Sequence, residues 1–160
     1  MSADDLIRRI ERLEAAEGVR DLVARYARVI DGTDLAGEFS SIFTADAVLY
    51  SNGEYTGRTA IFEYYESVLS QVTFSRHHIL NSAITVEAVD RARHRGAFLA
   101  MLGRGGQSIV VFGDYDDLAV RGSDGLWRFA IKGNQTIGST TLASGWGDAS
   151  FGGQPARTEG

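Results

Sequence analysis

From Phe74 onward the apolar pattern of this chain changes from a period of 3.6 residues to a period of two. Four β-rich stretches follow: Phe74 to Ala88, Arg91 to Leu102, Gln107 to Arg121 and Leu126 to Ile137. Arg104-Gly105-Gly106 and Ser123-Asp124-Gly125 supply turns between the later ones. The single proline, Pro155, lies beyond all four, so nothing breaks their ladders. Long strands in a meander, preceded by helical sequence, predict an α+β fold rather than a parallel α/β sheet. The expected architecture is a set of helices over a curved, mixed but mostly antiparallel sheet around an internal pocket.

The first half of the chain supplies the helices. Ser2 or Asp4 can cap a first helix carrying Leu6, Ile10 and Leu13 at helical spacing. Gly18 is expected to interrupt it, and Val19, Leu22, Val23, Tyr26, Ala27 and Ile30 form a second stripe. Asp31-Gly32-Thr33-Asp34 reads as a turn and Leu35 to Phe43 as a short helix. Ala47 to Tyr50 and Glu54 to Thr56 read as strands around a hairpin turn at Ser51-Asn52-Gly53. Thr59 is the expected cap of a helix through about Gln71 that buries Ile61, Tyr64, Tyr65 and Val68. The end of the chain, rich in Gly, Ser and Thr and bearing Trp146 and Phe151, reads as an extended arm. One domain over 1–138 with an arm over 139–160 is therefore expected.

Composition narrows the function. A chain of 160 residues with net charge −5 and no Lys/Arg-rich block is ill-suited to nucleic acid. Zero cysteines remove disulfides, thiolate catalysis and cysteine metal sites. There is no HExxH or HxxxH and no phosphate-binding glycine loop, so neither metal nor organic cofactor is expected. The acidic start lacks the build of a signal peptide, and no apolar run approaches the ~20 residues that span a bilayer. A cytoplasmic protein without membrane contact is the expectation.

Candidates for chemistry are few. His77 and His78 begin a long strand, so their side chains point to opposite faces and one can face the pocket. An imidazole with a pKa near 6.5 suits proton transfer, although a strand histidine serves packing or surface equally well. His94, between Arg93 and Arg95, reads as solvated. Asp31 follows the second apolar stripe; it is either a turn residue or a carboxylate that orients a histidine across the pocket. Lys132 and Asn134 share one face of the last strand with Arg128, Ala130 and Thr136. The lysine can stabilise developing negative charge or send its ammonium to solvent. Asp114, Asp116 and Asp117 read as charged positions on a half-exposed strand. Phe98, Met101, Val111 and Phe112 are candidates to shape an apolar, substrate-binding pocket with Asn134.

Arg25-Tyr26-Ala27-Arg28-Val29-Ile30-Asp31, followed by Ile42-Phe43-Thr44-Ala45-Asp46-Ala47-Val48, resembles the opening of SnoaL-like proteins. These belong to the superfamily that shares the cone-shaped fold of nuclear transport factor 2. His77-His78-Ile79-Leu80-Asn81 and Asp124-Gly125-Leu126-Trp127-Arg128-Phe129 resemble its later signatures, so the likeness covers roughly Val19 to Ile137. Within the superfamily the chain looks most like the cofactor-free branch of scytalone dehydratase, bile acid 7α-dehydratase and lindane dehydrochlorinase. The resemblance implies a lyase acting on an apolar cyclic small molecule. In that reading His77 is the base, Asp31 orients it, and Tyr26 or Lys132 assists the departing group. An isomerase or polyketide cyclase on the same scaffold is the first alternative. A non-catalytic ligand binder, or a subunit like the β subunits of aromatic-ring dioxygenases, is the second. A homo-oligomer is expected in which the arm reaches a neighbour or closes its own pocket; the branch implies a trimer, the isomerases a dimer.

Overall fold

The structure, a computed structural model, describes residues 1–32 and 34–143. Helix α1 (Ala3–Asp31) begins in a capping box: the Ser2 side chain accepts from the Asp5 backbone, and the Asp5 carboxylate accepts from the Ser2 N–H. It then runs unbroken for 29 residues. Gly18 does not interrupt it. A Cβ there would stand 2.4 Å from Trp127 Cδ1, so the glycine lets the buried indole press on the helix backbone. The cost of one helical glycine, about 1 kcal/mol, is offset by packing on both sides of it. The stripe Ala15, Val19, Leu22, Val23, Tyr26, Val29 and Ile30 is buried. Leu6, Ile10 and Leu13, expected as the apolar stripe of a first helix, are exposed instead.

Helix α2 (Leu35–Ile42), capped by Asp34, leads directly into β1 (Phe43–Tyr50), so the strand starts four residues earlier than its pattern suggests. β2 (Glu54–Thr56) returns antiparallel after a turn in which Asn52 takes a positive φ. Helix α3 (Arg58–Leu69) has Gly57, not Thr59, at its N-cap. Four long strands follow: β3 (Phe74–Ala88), β4 (Arg91–Arg104), β5 (Gln107–Arg121) and β6 (Trp127–Thr141). Because β6 runs to Thr141 and pairs it with Ile109, the first residues of the expected arm are strand. Residues 144–160, with Trp146 and Phe151, lie outside the described residues.

The six strands form one open sheet in the order β2-β1-β6-β5-β4-β3, antiparallel except where β1 runs parallel to β6. α1 lies across one face of this sheet and α3 closes its β1 side. The core is largely aromatic: Tyr26, Phe39, Phe43, Tyr65, Tyr115 and Phe129 are buried and meet mostly edge to face. Among the described residues no helix is long and apolar enough to cross a membrane.

Two irregularities set which side chains face α1. Between Leu80 and Ala83 the β3–β4 register slips, with Asn81 in the left-handed region at φ 52°. Asparagine tolerates that conformation, and the extra residue inverts the alternation. A second slip, opposite Leu118 and Ala119, puts Phe129 rather than Arg128 on the face of Lys132.

Candidate active site

Asp31 is the last residue of α1, and its side chain reaches the start of β3. One carboxylate oxygen, Oδ1, lies 2.6 Å from His77 Nδ1 and accepts the Ser75 hydroxyl at 2.9 Å. The other, Oδ2, accepts the His77 backbone N–H at 2.7 Å. The expected hydrogen bond between Asp31 and His77 is thus present, and His78 points to the opposite, exposed side. Ser75 was absent from the sequence reading; its signal was the two-residue spacing that puts it on the face of His77.

The electrostatics fix the tautomer. Burial alone would raise the Asp31 pKa. The hydrogen bonds from the His77 ring and backbone, the charge of the ring and the Ser75 hydroxyl outweigh it, and the group sits below its ordinary value. An ionised carboxylate only accepts, so His77 Nδ1 carries a proton, and in the neutral ring the lone pair is left on Nε2. Nε2 has no hydrogen-bond partner among the described residues, and His77 lines a cavity of about 140 Å³.

That cavity lies between the end of α1, α3 and strands β3 to β6, lined by Tyr26, Tyr64, Tyr65, Phe98, Val111 and Tyr115 among others. Cavities of about 150 Å³ with apolar walls hold a single benzene-sized ring. Beside these aromatic residues, Asn134 Nδ2 donates to Ser51 Oγ at 3.2 Å, and Ser51 Oγ meets Tyr64 Oη at 2.9 Å. Asn134 Oδ1 is buried without a hydrogen-bond partner among the described residues. Tyr26 Oη lies 3.0 Å from Tyr65 Oη. Burial, then the neighbouring Tyr115 and Tyr65, push the Tyr26 pKa well above normal, so its hydroxyl stays protonated.

Of the expected residues, Asp31, His77, Tyr26, Phe98, Val111 and Asn134 gather here. Three do not. Phe112 alternates with Val111 and is outside the lining. Met101 is exposed on the uncovered face. Lys132 neither lines the cavity nor reaches solvent: it is 1% exposed, its Nζ 3.0 Å from Asp117 Oδ1 and 3.1 Å from the centre of the Tyr115 ring. Burial pulls the ammonium down to about 8 against the opposing pull of Asp117.

The same cluster corrects two further readings. Asp117 is fully buried, not half-exposed, and the solvated histidine expected at position 94 is buried beside it, with Nδ1 2.8 Å from Asp117 Oδ2. Alternation from Phe98 and Ala100 would have put His94 on the covered face; the flanking arginines masked it. Among the described residues no group of three His, Cys, Asp or Glu side chains is placed to hold a metal ion.

Comparison with known proteins sets this geometry in a family. A scytalone dehydratase-like protein from Novosphingobium aromaticivorans superposes with a TM-score of 0.74 at 22% identity, over 81% of this chain and 89% of that one. LinA superposes at 0.73 with 25% identity, covering 84% and 93%. The hexachlorocyclohexane dehydrochlorinase LinA-type3 from Novosphingobium barchaimii gives 0.72 at 24% identity, covering 84% and 94%. No curated protein matches the sequence. The fold is a cone-like α+β fold of the cystatin-like type, built on an open sheet. The SnoaL-like domain model matches residues 11–131, and the chain belongs to the SnoaL-like domain family.

Proposed function

We propose that this protein is a cofactor-independent lyase that removes a proton and a leaving group from a small, apolar, cyclic molecule. The observation that carries the reading is the Asp31–His77 pair at the wall of an aromatic cavity, with Nε2 unpaired toward it. His77 Nε2 takes the proton. Asp31 holds His77 by one hydrogen bond at the ring and one at the backbone N–H, and stabilises the imidazolium that forms. The Tyr26 hydroxyl, kept protonated by burial, donates to the departing halide or hydroxide. Asn134 Oδ1 accepts from a substrate N–H or O–H. The cavity volume limits the part of the substrate that enters to about one ring. Dehydratase-like and dehydrochlorinase structural neighbours support an elimination.

Product mass is the test. A panel of six-membered alicyclic halides and β-hydroxy ketones is incubated with the protein. Loss of HX or water from the product supports the lyase. An unchanged mass with a moved double bond assigns isomerisation and overturns it.

The working form is a homo-oligomer, with a trimer as the specific proposal. Phe74, Leu80 and Met101 are exposed on the strands at one end of the sheet, and aromatic and methionine side chains are enriched in interfaces. Light scattering returning only a 17.3 kDa species overturns assembly.

A further inference from the structure

A second histidine lies on the helix-covered face of the sheet, and its partners form a different unit. His94 Nε2 stands 3.0 Å from Ser82 Oγ, and its Nδ1 stands 2.8 Å from Asp117 Oδ2. Asp117 Oδ1 accepts the Gly133 backbone N–H at 3.1 Å and the Lys132 ammonium at 3.0 Å. Asp117 therefore only accepts, His94 Nδ1 carries the proton, and Nε2 is the acceptor for the Ser82 hydroxyl. Hydroxyl, imidazole and carboxylate stand in the order and at the spacing of an activated nucleophile.

Ser82 owes this place to the bulge in β3. With regular alternation from His77 and Ile79 it would face away; the left-handed Asn81 turns it inward, toward His94. Ser82 itself is exposed, whereas the His94 and Asp117 side chains are fully buried. The hydroxyl opens on a cleft of about 400 Å³ between α1 and β3, with Val23, Ala24, Ala27, Ile79 and Ile84 as apolar walls and Arg20 also lining it. This cleft shares no lining residue with the cavity of His77.

We infer that Ser82 is a nucleophile and that this cleft is an acyl-transfer site for small esters with a good, aryl-type leaving group. Ser82 Oγ attacks the ester carbonyl and its proton passes to His94 Nε2. The bond from carbonyl to aryloxide breaks, and the aryloxide leaves with the proton from Nε2. Water then attacks the acyl-Ser82 ester, again giving a proton to Nε2, and releases the carboxylic acid and the free hydroxyl. The sum is ester plus water to acid plus phenol. Lys132 sets the restriction on leaving group. The neutral His94, Asp117 and Lys132 carry no net charge together, so protonating His94 creates a net buried cation. A leaving group that is itself a weak base needs little of that proton as the bond breaks, so the buried imidazolium is short-lived.

The probe is p-nitrophenyl acetate with the full chain. Background labelling is low because Lys132, the only lysine, is buried. The wild type is expected to release nitrophenolate and gain one acetyl group, mapped by peptide mass spectrometry to Ser82. Ser82→Ala, at an exposed position, is expected to lose that acetylation by about 100-fold or more, the range of a positioned base. Ser82→Cys keeps a nucleophile and is expected to be acetylated at the same position. His78→Gln, which removes an exposed imidazole from the opposite side of β3, is expected to acetylate as the wild type does. Acetyl found only on the amino terminus, or equal labelling in Ser82→Ala, overturns the inference.

Discussion

Asp31 grips His77 twice, once at the ring and once at the backbone: Oδ1 is 2.6 Å from Nδ1 while Oδ2 accepts the main-chain N–H at 2.7 Å. One contact sets the tautomer and the other fixes where the strand begins relative to the helix end. The carboxylate therefore belongs to the fold as well as to the proposed chemistry.

That dual role has a pH signature. The Asp31 pKa is lowered in the folded state, so its stabilisation is complete above the unfolded value near 3.8 and is lost as the pH falls through the folded value. Asp31→Asn is expected to be less stable than the wild type at neutral pH, by about 1–3 kcal/mol for a charge-assisted pair. The gap is expected to narrow in denaturant melts at pH about 3. A gap that stays constant across that range would show that the carboxylate charge contributes nothing.

Gly18→Ala is expected to destabilise although alanine favours helix by about 1 kcal/mol. The new Cβ would meet the Trp127 ring at 2.4 Å, and moving a buried indole costs about 1–3 kcal/mol. Thermal unfolding decides the sign; a raised Tm would mean that the helix and indole separate freely.

The limits of the sequence lie at such places. Four strands and their turns were legible because period two persists for many residues and Gly105 and Gly106, both at positive φ, mark their turn plainly. The pairing of Asp31 with His77 was legible only through the family pattern, since 46 residues separate them. Gly18 misled because its partner, Trp127, is more than a hundred residues away. The bulges at Asn81 and near Phe129 were invisible, and each inverts the facing of the residues around it. His94, Asp117 and Lys132 were misplaced for a further reason: as single residues each is a surface type, and only together do they satisfy one another in the core.

Lys132→Met tests that last statement. Removing the ammonium leaves Asp117 buried with His94 and one backbone N–H as donors. Breaking a buried pair in this way costs about 3–5 kcal/mol. A variant as stable as the wild type in urea but slower in turnover would return Lys132 to the reaction.

Asn81→Val places a β-branched residue at a φ of 52° and is expected to cost about 1–2 kcal/mol, whereas Asn81→Gly is expected to be close to neutral. Urea midpoints measure both. Equal midpoints for the valine and glycine variants would mean that the bulge relaxes without penalty.

The measurement closest to the central claim is turnover of an eliminated substrate by wild type and His77→Gln, with circular dichroism confirming equal folding. A base at His77 predicts a fall in kcat of about 10²–10⁴-fold and a primary isotope effect when the abstracted hydrogen is deuterium. An elimination rate within a few-fold of wild type in His77→Gln would contradict the account.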